Sequence, residues 1–161
     1  MCEILLPYNL GFVTWFKNQP KAILLLRIVV SAIFLAYGSV KLSGGQYYYG
    51  DWTMDKETAN GPSLVWAFYG YSPIYGRITG LFEFIPAIML LFRRTSLVGA
   101  AALFAVSLNI TLMDFAFGFP SVKYFILGCT VACTVLILHE KDKLTALFAG
   151  APREREGQVS N

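Results

Sequence analysis

Apolar residues fall into four long stretches separated by short polar breaks: Ala22 to Leu42, Ile74 to Phe92, Ser96 to Phe117 and Pro120 to Leu138. Each has the roughly 20 residues that a helix needs to cross a bilayer. None shows the period-2 alternation of a membrane barrel strand. The pattern predicts an all-α chain folded as a membrane four-helix bundle. Ser43-Gly44-Gly45 closes the first span, and Arg93-Arg94-Thr95-Ser96 makes a tight charged turn. Gly118-Phe119-Pro120 turns the third span into the fourth, with Pro120 suited to a first helical position. Residues 1–150 are expected to form a single four-span transmembrane domain, and the polar residues 151–161 a disordered cytoplasmic tail.

Composition strengthens this reading. Of 161 residues, 56% are hydrophobic and 14% charged, against roughly 25% charged in soluble domains. A small soluble protein has too much surface for its volume to hide that apolar excess, so the excess is expected to face lipid. The net charge of +3 comes from basic residues scattered singly or in pairs, which predicts no nucleic-acid partner. With His139 the sole histidine, no metal centre is expected. Met1-Cys2-Glu3 lacks the basic start of a secretory signal, and Ile4 to Phe16 reads as an interfacial segment or a loosely ordered tail.

Orientation follows from the basic residues. If all four helices cross, Lys17, Lys21, Arg93, Arg94, Lys141, Lys143, Arg153 and Arg155 share one side, and Lys41, Lys56, Arg77 and Lys123 the other. The richer side is cytoplasmic by the positive-inside rule, which predicts a multi-pass protein of the cell membrane with cytoplasmic N- and C-termini. One connection, Ser43 to Pro73, is long and aromatic, with Tyr47, Tyr48, Tyr49, Trp52, Trp66, Phe68, Tyr69 and Tyr71. A loop of that length is functional or disordered, and its aromatics argue against disorder. It is expected to fold over the outer mouth of the bundle, with Leu64 to Tyr71 at the interface. An aromatic belt without a ligand is the plainer alternative.

An ionisable group inside a membrane costs roughly 2.5–3.5 kcal/mol at a helix centre, so each calls for a reason. Glu83 lies about nine residues into the second span and shares a helical face with Gly76, Thr79, Gly80 and Ala87. Gly76 and Gly80 form a small-xxx-small pair that lets a neighbouring helix approach, so Glu83 is expected to point into the bundle, either protonated or paired with a cation. On the first span Arg27, Ser31, Phe34, Gly38 and Lys41 recur at intervals of four, three, four and three, which predicts one interior stripe. Arg27, about two turns inside, is expected to snorkel toward the cytoplasmic face.

On the third span Ala102, Ala105 and Asn109 share a face, which suits an interior amide. Asp114 is rotated about 140° from Asn109 on an ideal helix, so one face should not present both, and pairing with Lys123 across the short turn is the simple reading. These placements suggest a polar outer cavity bordered by Lys41, Arg77, Asp114 and Lys123, with Glu83 and Asn109 deeper. Glu83 is the candidate catalytic residue, and Arg27, Lys41, Arg77, Asn109, Asp114 and Lys123 the candidate ligand-binding set. The alternative is a buried ion pair that only fixes helix register. Cys129 and Cys133, spaced i, i+4, lack redox spacing and read as core packing, since a thiol in apolar surroundings is inert. His139, at the cytoplasmic helix end, is ordinary near free carbonyls.

Several of these segments together resemble the DoxX-like family of small four-helix membrane proteins. They are Arg27 with the run to Tyr37-Gly38-Ser39-Val40-Lys41-Leu42, Gly80-Leu81-Phe82-Glu83 with the apolar stretch ending at Arg93-Arg94, Gly99-Ala100-Ala101 leading to Asn109, and Lys123. The resemblance covers roughly residues 22 to 140 and implies a left-handed four-helix membrane bundle. Some members of that family are small subunits of membrane oxidoreductases, which makes such a subunit the expected function; the chain would move electrons only through a bound quinone or flavin, and a quinone-like amphipathic ligand is the expected cofactor. Two other functions stay open: a non-catalytic anchor or assembly chaperone for a partner protein, and a lipid or sterol binder or isomerase using intramembrane carboxylates; a partner protein or a homo-oligomer is the expected assembly.

Overall fold

The computed structural model describes residues 14, 18–55, 57–143 and 145. The expected interfacial segment, apart from Thr14, and the expected tail lie outside the described residues, as do Cys2, Lys17, Lys56, Arg153 and Arg155. Among the described residues the chain is helical and without strands. Five helices follow in order: α1 (Lys21–Leu42), α2 (Gly61–Tyr71), α3 (Pro73–Leu91), α4 (Ser96–Ala116) and α5 (Val122–His139). Four of them, α1, α3, α4 and α5, are long and apolar enough to cross a membrane. The expected spans match within two residues. The largest difference is at the fourth, where Ser121 caps the helix and Pro120 stands before it.

The four long helices pack as a ring in which α1 lies on α3, α3 on α4, α4 on α5, and α5 returns to α1. Successive spans run antiparallel, so Arg27, Leu90, Ser96 and Glu140 meet at one end of the bundle. Gly118, with φ +74°, supplies the left-handed residue that reverses the chain between α4 and α5. Only 28 to 33% of each spanning window is buried. The remainder presents Leu25, Ile74, Phe82, Leu112, Val131 and Leu138 outward. A continuous apolar exterior of this kind is disfavoured in water and suits lipid, as in a multi-pass membrane protein.

The short helix α2 was not anticipated within the long connection. Its local code is plain: Asn60 accepts a hydrogen bond from the Ser63 backbone N–H at 2.9 Å, and Pro62 occupies the first turn. Ser72 caps α3 in the same way through the Tyr75 N–H.

The interior stripe expected on α1 is present. Arg27, Ser31, Phe34, Gly38 and Lys41 are all buried, together with Val30. On α3 the buried face is Gly76, Gly80, Glu83, Pro86, Ala87 and Leu90. The face expected on α4 is corrected. Ser96, Ala100, Leu103, Ser107, Thr111 and Asp114 are buried, whereas Ala105 and Asn109 are exposed. Serine and threonine enter the core because their hydroxyls bond backbone carbonyls one turn back, as Thr111 does to Ser107 at 2.8 Å. Thr111 also meets Thr130 of α5 at 2.9 Å.

Candidate functional site

Two polar clusters lie at opposite ends of the bundle. At one end Arg27 is fully buried. It donates to the Leu90 carbonyl at 3.0 Å and to Glu140 Oε1 at 2.8 Å. Leu90 lies in the last turn of α3, where carbonyls have no helical partner, so the guanidinium caps α3 while pairing with the residue that ends α5. Ser96, opening α4, has its hydroxyl 2.7 and 2.8 Å from the two Glu140 oxygens. Lys143 adds a contact to Glu140 Oε2 at 2.8 Å and one to the Arg93 carbonyl at 3.1 Å. All four spans are joined here. Burial pushes the Glu140 carboxyl up, but hydrogen bonds from Lys143, Ser96 and Arg27 outweigh it and hold the group below its ordinary value. Arg27 therefore does not snorkel into solvent, and it is remote from the expected ligand site.

The other end holds a cavity of about 440 Å³ between α1, α2, α3, α4, the start of α5 and the α1–α2 connection. Lys41 and Glu83 form an ion pair in its lining, 6% and 2% exposed. Two close glycines make this reach possible. A methyl group on Gly80 would stand 2.8 Å from the Gly38 carbonyl oxygen and 2.9 Å from Lys41 Cβ, so the lysine side chain passes over bare backbone. Asp114 lies in the same lining at 3% exposure. Glu83 Oε2, Asp114 Oδ2 and Gln46 Oε1 are buried with no hydrogen-bond partner among the described residues.

Aromatic rings wall the cavity. Tyr47 of the connection stacks on Tyr69 of α2 at 5.1 Å and 14°, and Tyr69 stacks on Tyr75 of α3 at 5.9 Å and 13°. Trp66 leans on Tyr47 at 5.7 Å and meets Phe119 edge-on at 6.0 Å. The Tyr69 hydroxyl reaches Met113 Sδ on α4 at 3.8 Å. Burial pushes the Tyr47 and Tyr69 hydroxyls up to about 12, so both remain neutral donors at ordinary pH.

Of the seven residues expected from the sequence, Lys41, Glu83, Asn109 and Asp114 line this cavity. Asn109 and Asp114 both take part despite their angular separation, because the cavity spreads along α4 from Ala105 to Asp114. Arg77 is exposed, with its guanidinium beside Gly44. Lys123 does not pair with Asp114; its ammonium stands 5.5 and 5.3 Å from the Phe115 and Tyr124 ring centroids, where cation–π attraction holds it. Cys129 and Cys133 pack in the core. Glu140 and Gln46 were not anticipated, whereas Trp66 belongs to the aromatic connection expected over the outer mouth and lines the cavity there. The signal for Glu140 was a buried Arg27 needing an anion at its own depth.

No family model matches the chain, and no solved structure matches it. The chain is similar to YwoB, an uncharacterized protein of Bacillus subtilis, at 29% identity over 130 residues, which covers 78% of this chain and 81% of that protein.

Proposed function

We propose that the chain is a DoxX-like protein of the cell membrane that binds a quinone-like amphipathic ligand in the Lys41 cavity, as a small subunit of a membrane oxidoreductase system. The observation that carries this reading is one cavity combining a tyrosine stack with the buried Lys41–Glu83 pair. Its volume suits a small-molecule site, and its apolar walls with a few polar groups fit an amphipathic ring. Lys41 has ammonium protons beyond the one given to Glu83 and can donate to a headgroup carbonyl. Glu83, with Oε2 unpartnered, is placed to take or give a proton. Trp66, in the same lining, offers an aromatic surface beside the tyrosine stack. A bound quinone would supply the redox chemistry, and the chain's residues hold and orient it.

Charge supports a direction across the membrane. Lys21, Arg93, Arg94, Lys141 and Lys143 gather at the Arg27 end, and Lys41, Arg77 and Lys123 at the cavity end. The positive-inside rule puts the Arg27 end in the cytoplasm with both termini, and opens the cavity under an outer aromatic connection.

The test is decylubiquinone binding to the full chain in nanodiscs, read by quenching of tryptophan fluorescence, with mass spectrometry of small molecules retained after mild purification. Saturable quenching that is lost in Trp66→Phe, together with a retained quinone, is the expected result. Absence of binding, with a second protein co-purifying in fixed ratio, would replace this reading with the anchor or assembly function. A retained sterol would favour the lipid-binding function.

A further inference from the structure

The charges lining the cavity do not balance. Lys41 brings one positive charge, and Glu83 and Asp114 bring two negative charges when ionised. Arg77 and Lys123 lie outside the lining. Lys41 is already paired with Glu83, and Asp114 has no salt bridge among the described residues. Asp114 is nevertheless 3% exposed, and its Oδ2 meets no donor. A carboxylate held this deep without a hydrogen-bond donor on one oxygen is disfavoured, even with the shared Lys41 in the same lining. The site is therefore completed by one added positive charge, either a proton or a cation that donates hydrogen bonds.

We propose that the cavity binds an amphipathic ammonium ion in exchange for a proton held by the Glu83–Asp114 carboxyls. The exchange balances: a carboxyl O–H breaks, its proton passes to solvent, and the ammonium pairs with the carboxylate left behind. A primary ammonium carries three N–H donors, and three residues of the lining, Glu83, Asp114 and Gln46, each hold a buried side-chain oxygen without a partner. The aromatic lining, with Trp66 beside the tyrosine stack, attracts a cation and accepts its apolar body. The titratable groups facing the site are Lys41 and Tyr37 from α1, Tyr47 from the connection, Tyr69 from α2, Tyr75 and Glu83 from α3, and Asp114 from α4; α5 contributes Val122. Burial pushes the Tyr47 and Tyr69 hydroxyls up to about 12, so these two keep their protons, and the exchanged proton is assigned to the carboxyls because Asp114 is buried with Oδ2 unpartnered. The inference rests on the cavity alone and not on the quinone reading.

The experiment titrates phenylbutylamine and its neutral counterpart phenylbutanol into the full chain in nanodiscs by calorimetry. Buffers of different ionisation enthalpy give the proton count, and empty discs are subtracted. The amine is expected to bind about tenfold or more tighter than the alcohol, releasing close to one proton, and Asp114→Asn should bring it down to the level of the alcohol. Equal affinities, or amine binding without proton release, would overturn the proposal. The proton count is read on the unaltered chain, so a poorly folding variant leaves the test intact. Decylubiquinone is the third arm: quinone binding without amine binding sinks this inference alone, and amine binding without quinone binding sinks the quinone reading alone.

Discussion

Gly38 and Gly80 face each other so closely that a methyl group on either would come within 3.0 Å of the other's carbonyl oxygen. This contact sets the distance between α1 and α3, and the Lys41 side chain runs beside it to Glu83. Gly80→Ala therefore strikes both the Gly38 backbone and Lys41 Cβ. We expect it to destabilise the bundle by about 1–3 kcal/mol and to weaken ligand binding, as read by thermal melting and fluorescence quenching. A variant with unchanged melting and binding would show that the helices part without consequence.

At the opposite end, Arg27→Ala leaves the Glu140 carboxylate buried without its guanidinium and should cost about 3–5 kcal/mol. Because the network lies away from the cavity, the surviving folded protein should bind ligand normally.

The same network predicts an acid-side weakness. Glu140 titrates below its ordinary value of 4.5 when folded, so its contribution is complete above that pH and is lost as pH falls through the lower, folded value. Melting temperature measured downward from pH 5 should drop, and Glu140→Gln should start lower and show a shallower slope. An equally steep slope in Glu140→Gln would assign the acid sensitivity to other groups.

The α1 stripe was legible because its polar and small residues recur at helical spacing, and Glu83 because a mid-span carboxylate is rare. On α4 the expected face of Ala105 and Asn109 borders the cavity rather than packing in the core. The packed face instead carries Ala100 together with Ser107 and Thr111, whose hydroxyls bond backbone carbonyls. Asp114 and Lys123 were matched by nearness along the chain, but the aromatic neighbours of Lys123 draw it away. The Tyr47–Tyr69–Tyr75 stack joins three elements whose approach no local pattern encodes, although Asn60-Gly61-Pro62 does announce α2.

Reporter fusions test the orientation. A probe at Thr58, in the α1–α2 connection, should report the outside, and probes at Thr95 and the C-terminus the inside. An outside signal at the C-terminus would overturn the four-span orientation.

The central claim is that Glu83 handles a proton in a ligand cavity rather than only fixing helix packing. Glu83→Gln keeps the shape and removes the titratable proton, whereas Glu83→Ala also leaves Lys41 without this partner, at a cost of about 3–5 kcal/mol. The most direct measurement is melting temperature alongside ligand-linked activity for both variants. Glu83→Gln, which keeps an acceptor for Lys41, is expected to melt above Glu83→Ala but to be inactive, whereas Glu83→Ala is expected to be both inactive and unstable. A Glu83→Gln protein with full activity would reduce Glu83 to packing, and a stable, fully active Glu83→Ala protein would contradict the account altogether.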